Sequence, residues 1–391
     1  MIRKRFLVLS FYYPPDLGPG SLRAQSIVDG LCNGIDGPFE ITIFTTSPNR
    51  CSYTESVPPS YGESEFVKIH RVLLSPKSGE KSQLIKSFVR YALFVREQTS
   101  GKTWDVVIST SGRLMTAVLS AWVARRCHAK LYLDIRDLFT EALEGVRIQT
   151  PTKLVVPIFR FLERLTLKRA DKVNVISPAF YSHVRSIVPL TPISAYTNGV
   201  DREFIIADFN KDRSNSSPVV VYAGNIGEGQ SLHQIIPWVA RAMPDITFKI
   251  IGEGSALPLL VTELSGAGVD NVELEKSKSR IELLEDYGDA DVLFLHLNPK
   301  SAFLKVLPSK IFEYAATGKP ILAGVGGFSS RFLLENVSGI GLFNPCDVEG
   351  CVKQLQLLLG GKKIFRRDAF CHQFAREKII RRMVEDIVEL V

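Results

Sequence analysis

The hydrophobic pattern of this chain switches repeatedly between two periods. Apolar runs at 6–11, 41–45, 67–74, 106–109, 131–135 and 173–176 predict buried strands. Between several of them, over 21–31, 82–97, 113–126 and 152–168, apolar positions recur at helical spacing. This alternation predicts a parallel sheet with helices on both faces. A turn at 198–201 leads into the polar stretch 210–217, which reads as a linker. A second series follows, with strands at 219–222, 246–250, 292–295 and 321–323 and helices at 231–243, 279–287 and 309–317. The tail, 365–391, is amphipathic and helical. The pattern predicts an α/β protein of two Rossmann-like, doubly wound domains at 1–205 and 206–370, with a terminal helix at 371–391. Such sheets bind ligands at the carboxyl ends of their strands.

Composition changes this picture little. An apolar fraction of 45% and a charged fraction of 23% over 391 residues suit a folded protein of two or more domains. Six cysteines form no CxxC pair and no ligand-like spacing with the six histidines, which argues against a zinc site or a disulfide framework and fits a reducing cytosol. The basic start, residues 1–11, lacks a small-residue cleavage site and reads as a first strand. No apolar segment has the length of a membrane span.

Charge is divided unevenly. Residues 1–200 hold 26 Lys and Arg against 16 Asp and Glu, and the remainder 22 against 25. An anionic surface is therefore expected to meet the N-terminal half. The stretches 81–96 and 154–168 are apolar on one side and basic on the other. Each reads either as a helix lying on an anionic membrane or as a packing helix with a solvated basic stripe. Nucleic acid is disfavoured, because no base-stacking motif or recognition helix accompanies the charge.

Chemistry concentrates at 308–320, PSKIFEYAATGKP. Pro308 and Ser309 form a helix entry with Ser309 as the expected cap. Lys310 falls in the first turn, where free amides and the helix dipole favour an anion, and Glu313 shares its face. Gly318 and Pro320 end the helix. A lysine and a carboxylate so placed suit a nucleoside diphosphate, with phosphates on Lys310 and ribose hydroxyls on Glu313. A capped surface helix with a solvated lysine is the plainer alternative.

Three further segments carry site-like patterns. At 224–230, GNIGEGQ, the strand runs into a glycine turn, where Gly224, Asn225 and Gly227 let the backbone approach a ligand or simply make a tight turn. At 13–21, YPPDLGPGS, Gly18 and Gly20 precede a helix with Arg23 in its first turn, an anion-binding pattern without the GxGxxG spacing of a nicotinamide site. At 134–138, DIRDL, Asp134, Arg136 and Asp137 stand at the end of a buried strand, where charge is costly unless paired or functional.

The 308–320 stretch resembles the donor signature of retaining glycosyltransferases of family 4. The likeness is greatest to members that build bacterial surface polysaccharides (O-antigen or capsule), whose helix reads similarly as PSKxxEY. The resemblance covers nearly the whole chain and implies the GT-B fold, with the last helix crossing back onto the N-terminal domain. It implies donor contacts from Gly224, Asn225, Gly227, Lys305, Leu307, Pro308, Ser309, Lys310 and Glu313. It assigns Gly18, Gly20, Arg23 and Arg136 to an acceptor and phosphate loop, and Asp134 and Asp137 to the acceptor hydroxyl or sugar. Lys310, Glu313, Asp134 and Asp137 are the expected catalytic-site residues.

Two departures stand out. The glycine loop lacks the Arg and Lys common in the family, and Lys305 replaces the first Glu of the family's Glu-x7-Glu pattern. The implied activity is transfer of a sugar, from a UDP-sugar, onto a lipid-linked saccharide. It would occur at the inner face of the cell membrane, with no cofactor and no metal. Two alternatives are a sugar-nucleotide 2-epimerase and a non-catalytic pseudoenzyme that keeps the fold.

Overall fold

The computed structural model describes residues 3–16, 18–47, 63–74, 81–138, 140–141, 152–210, 217–361 and 363–391. Most of the expected linker, 211–216, lies outside these residues. The chain divides into two compact units: Met1–Thr197 with Glu377–Val391, and Asn198–Arg376. The boundaries expected at 205–206 and 370–371 both fall inside the second unit. There Val200 pairs with Ala375, the Val200 amide donates to the Phe374 carbonyl and the Arg376 amide donates back to the Val200 carbonyl. A side chain at Gly199 would collide with this pairing, its Cβ lying 2.6 Å from the Arg376 Cα.

Strands of the first unit are β1 (Lys4–Leu9), β2 (Phe39–Thr46), β3 (Val67–Val72), β4 (Val106–Ser111), β5 (Lys130–Ile135), β6 (Lys172–Val175) and β7 (Ile193–Ser194). They form one parallel sheet in the order β3-β2-β1-β4-β5-β6-β7. The second unit holds β8 (Val219–Ala223), β9 (Thr247–Ile251), β10 (Val272–Glu275), β11 (Val292–His296), β12 (Ile321–Gly324) and β13 (Ile340–Phe343), parallel in the order β10-β9-β8-β11-β12-β13. Both sheets reverse direction of winding at their centre, between β1 and β4 and between β8 and β11. Those are the switch points where ligands bind in this architecture.

Packing explains the layers. In the first unit, Phe6, Val8, Ile41 and Val106 face the helices Pro19–Gly34 and Arg376–Val388, which bury Ile27, Leu31, Met383 and Ile387 against them. Those helices approach closely, because a Cβ on Gly30 would lie 2.4 Å from Ile380 Cγ2. Strand alternation turns Phe44 the other way, where it meets Phe94 and Trp104 and its carbonyl accepts from the Tyr91 hydroxyl. Both faces of the second sheet are likewise covered, by one cluster centred on Phe312, Tyr314 and Leu293 and another on Phe248, Ile236 and Leu260. Burying each such side chain contributes about 1.5–3 kcal/mol.

Two expected helices are broken. The segment 231–243 is a 3-10 turn, Leu232–Gln234, followed by a helix at Ile236–Ala242. Ser231 is left-handed (φ 47°) and Pro237 starts the second piece. The tail splits into Asp368–Gln373 and Arg376–Val388, because the intervening backbone pairs with Val200. No helix among the described residues is long and apolar enough to cross a membrane.

Candidate functional site

The second sheet's switch point is built by two glycine loops locked together. The loop after β8 and the loop after β9 join through the Ile226 amide to the Glu253 carbonyl and the Ala256 amide to the Ile226 carbonyl, both 2.9 Å. A Cβ on Gly252 would sit 1.8 Å from the Gly224 carbonyl oxygen, and one on Gly254 2.3 Å from that of Ile226. Gly252 also has φ 146°, so its backbone and its crowding both require glycine. Asn225 and Gly227 share one partner, Gln230 Oε1, at 2.9 and 3.3 Å.

Lys310 opens the helix Lys310–Ala316, which follows the loop leaving β11. Its Nζ donates to Glu313 Oε2 at 2.8 Å and to the Tyr287 hydroxyl at 3.1 Å. A Cβ on Gly224 would lie 3.5 Å from Lys310 Cε, so the lysine reaches the end of β8. Burial works against the Lys310 charge, but Glu313 at contact distance outweighs it and holds the ammonium above its ordinary range. The pair stays partly open, with 22% of the lysine side chain and 13% of the glutamate exposed. Around it stand three buried phenols. Tyr314 accepts from the Ala223 amide, Tyr222 donates to the Asn225 carbonyl, and Tyr287 meets Tyr314 edge-on at 5.4 Å. Burial raises all three hydroxyls far above the ordinary phenol range, so they act as neutral groups.

The loop is also held from the β11 side. His296 Nε2 accepts the Cys346 amide at 2.9 Å, which makes Nδ1 the protonated nitrogen that donates to the Gln230 carbonyl at 2.7 Å. Burial lowers this ring's pKa to about 4. Asn298 donates to Ser231 Oγ and the Glu228 carbonyl, while its amide donates to the Gly229 carbonyl. Tyr314 stands in the PSKxxEY pattern without an assigned role, and His296, Asn298, Tyr222 and Tyr287 escape sequence reasoning. Their apolar neighbours make them read as core, and only the fold brings them to one strand end.

Some expectations change. Ser309 is helical rather than extended and its hydroxyl makes no capping bond. The first helical acceptor is the Pro308 carbonyl, which takes the Ile311 amide and leaves the Ser309 and Lys310 amides ahead of the ladder. The Leu307 side chain is buried in the core and unavailable to a ligand. Lys305 is half-buried in the same loop, five residues ahead of Lys310. Asp291 accepts the Val219 amide at 2.9 Å and so caps a strand entry.

In the first unit, Arg23 and Asp134 meet each other. Arg23 Nε and Nη2 donate to the two Asp134 oxygens at 2.7 and 2.8 Å, and the guanidinium also donates to the Thr197 and Tyr196 carbonyls. Asp134 further accepts from Thr110 and Asn174. Burial opposes its charge, but Arg23 and these donors hold the carboxyl below the usual range. Both residues are at most 1% exposed. Their expected contact with acceptor and phosphate gives way to a structural pair that ties β5 to the helix Pro19–Gly34. Nearby, Gly18 caps that helix, and a Cβ on Gly20 would lie 2.4 Å from Arg136 Nη1. A Cβ on Gly112 would lie 2.7 Å from Asp137 Oδ2. Asp137 is exposed, and partial removal from bulk water raises its carboxyl against the pull of Arg136. Gly20, Gly112, Arg136 and Asp137 thus gather at the first sheet's switch point.

The comparisons bear on this geometry. No family model matches the chain. It is 23% identical over 302 residues to WcaI of Escherichia coli (strain K12), described as a colanic acid biosynthesis glycosyl transferase, covering 72% of this chain and 74% of WcaI. It is 28% identical over 217 residues to the sulfoquinovosyl transferase SQD2 of Arabidopsis thaliana, covering 52% of this chain and 39% of SQD2. Anabaena HepE in complex with UDP-glucose superposes with a TM-score of 0.67 at 16% identity, over 99% of this chain and all of HepE. WaaG, a glycosyltransferase involved in lipopolysaccharide biosynthesis, superposes at 0.64 and 11% identity, over 97% of this chain and 95% of WaaG.

The chain has the GT-B fold.

The resemblance drawn from the 308–320 signature is therefore met by a sequence relative and by the architecture. The GT-B fold alone does not select the reaction. A Listeria monocytogenes protein described as a UDP-N-acetylglucosamine 2-epimerase also superposes, with a TM-score of 0.59 at 12% identity.

Proposed function

We propose that this chain is a retaining glycosyltransferase of family 4 that moves a sugar from a UDP-sugar to a lipid-linked saccharide in bacterial surface-polysaccharide synthesis. The observation that carries this reading is Lys310, paired with Glu313 and reaching Gly224 at the switch point of the second sheet. Cleaving a nucleotide-sugar leaves a nucleoside diphosphate whose negative charge grows in the transition state. An ammonium held charged inside a partly dry pocket stabilises that charge more than it would in water. Glu313 presents a carboxylate for the ribose hydroxyls. The glycine loop carries no cation of its own, so Lys310 bears most of the phosphate charge, with Lys305 in the preceding loop as a further cation.

On the acceptor side the structural burial of Asp134 leaves Asp137, beside Gly112 at the first sheet's switch point, as the carboxylate for contact with the acceptor hydroxyl or sugar. Retention is read as front-face attack, the leaving phosphate taking the acceptor proton, with no protein nucleophile. The acceptor's lipid places the work at the cytoplasmic membrane surface. Titration with UDP-, GDP-, ADP- and CMP-sugars tests the reading. UDP-sugars should bind, and Lys310→Ala and Glu313→Ala should each weaken them while folding is retained. Absence of binding by every nucleotide-sugar would favour a pseudoenzyme, and sugar inversion at C2 without transfer would favour an epimerase.

A further inference from the structure

The chain enters the second unit at Asn198 and leaves it after Arg376, and one carboxylate stands beside both crossings. Asp201 accepts from Arg376 through Nε and, at 3.0 Å, through Nη2, and the same Nη2 donates to the Gly199 carbonyl at 3.1 Å. Asp201 also accepts from Arg280 Nη2, and Arg280 Nε stands 3.2 Å from Glu203 Oε1. Burial opposes the Asp201 charge, but Arg376 and Arg280 hold its carboxyl below the usual range. The proposed function uses none of these charges.

Arg280 leads from this cluster to the donor pair. It opens the helix Arg280–Asp289, whose start is fixed by a capping box between Ser279 and Glu282. Tyr287 lies seven residues on, about two turns along the same face. Phe204, in the short helix Arg202–Ile206, spans the two. The Arg280 guanidinium covers its ring at 5.2 Å, and the Tyr287 ring stacks on it at 6.1 Å. Phe204 is fully enclosed, so it does not shift without moving a neighbour. The Tyr287 hydroxyl then accepts from Lys310 Nζ. The helix Arg202–Ile206 also packs on Lys310–Ala316, and Phe374, at the second crossing, meets Phe312 at 5.6 Å. Burial works against the Arg280 charge, but Asp201 and then Glu313 hold the guanidinium above its ordinary range, so Glu313 lies within its field.

We infer that Arg280 is a positioning residue for donor binding: held by Asp201, it sets Phe204 and Tyr287 so that Lys310 stays aligned with Glu313. It acts through Tyr287 rather than on the nucleotide. A lysine chain loses much rotamer freedom when it grips a phosphate, and fixing it beforehand removes that cost from binding. The inference rests on the proposed donor role of Lys310 for its purpose, and on the contacts alone for the relay.

Amine labelling of the full chain with acetic anhydride, read by mass spectrometry, tests the relay without a donor. Arg280→Gln leaves Asp201 its Arg376 partner and so should fold. In it Lys310 should label faster than in the wild type. Lys319, whose Nζ donates to the Gly288 carbonyl on the same helix, should label at an unchanged rate. UDP titration should show about fivefold weaker binding in Arg280→Gln, and no further loss when Arg280→Gln is added to Lys310→Ala. Arg280→Lys keeps the charge without the planar cover of Phe204 and should recover part of the affinity. Unchanged Lys310 labelling, or a parallel rise at Lys319, would reduce the cluster to a structural clamp and overturn the inference. An equal loss of UDP affinity with and without Lys310 would do the same. Should Arg280→Gln not fold, Asp201→Asn loosens Arg280 from its other side and carries the same outcomes. Faster Lys310 labelling in a chain whose wild type binds no UDP would keep the relay and reject the donor reading.

Discussion

Arg23–Asp134 and Lys310–Glu313 are both cation–carboxylate pairs near the carboxyl ends of parallel strands, and they do different work. The first is sealed, with every guanidinium and carboxylate contact made inside the protein. The second holds one ion-pair contact and a phenol, and keeps part of both side chains open. Charge at a strand end therefore does not by itself mark a site. Exposure of the pair does, because a sealed pair has no capacity left for a ligand, whereas an open one can exchange partners when a diphosphate arrives.

The largest break in the comparison should come from the sealed pair. Arg23→Ala or Asp134→Ala leaves its partner charged and buried, and should cost about 3–5 kcal/mol of unfolding free energy in urea. Lys310→Ala, at a partly open pair, should cost about 1 kcal/mol or less. Equal losses would remove the distinction between the two pairs.

Acid should act next, through the second unit. His296 is neutral when folded, with its pKa lowered to about 4 from 6.5, so the unfolded chain takes up a proton first. The stability this ring provides is complete above pH 6.5 and declines as pH falls toward 4, by about 3 kcal/mol in all. Thermal melts of wild type and His296→Gln between pH 7 and 4.5 should converge as pH falls, and parallel curves would refute the assignment of this proton.

Much of the fold was legible and the site partly so, for physical reasons that individual residues illustrate. The buried strands at 106–109, 131–135 and 292–295 announce themselves because parallel strands covered on both faces are continuous apolar runs. The split of the tail at 374–375 depends on Val200, far away in sequence, which local pattern cannot supply, whereas the break ahead of Pro237 is local and the helical periodicity of 231–243 masks it. Lys310 and Glu313 were visible because helical spacing alone makes them neighbours. Asp134 misled because its partner, Arg23, is distant in sequence, and only the assembled sheet brings them together. Tyr287 and His296 were hidden among apolar neighbours for the same reason.

Smaller effects sharpen the open pair. Tyr287→Phe removes one hydroxyl from Lys310 and should weaken donor binding by about 0.5–1.5 kcal/mol, with little change in fold stability at the buried ring. Glu313→Gln keeps the shape and removes the charge, so it should lower donor affinity less than Glu313→Ala.

Calorimetric titration of UDP into wild type and Lys310→Ala, with urea unfolding on the same preparations, reaches the central claim most directly. The account predicts a variant that unfolds almost as the wild type does but binds UDP about 10–100-fold more weakly, the loss of one charge-assisted contact of about 1.5–3 kcal/mol. Unchanged UDP affinity in a folded Lys310→Ala protein would contradict it.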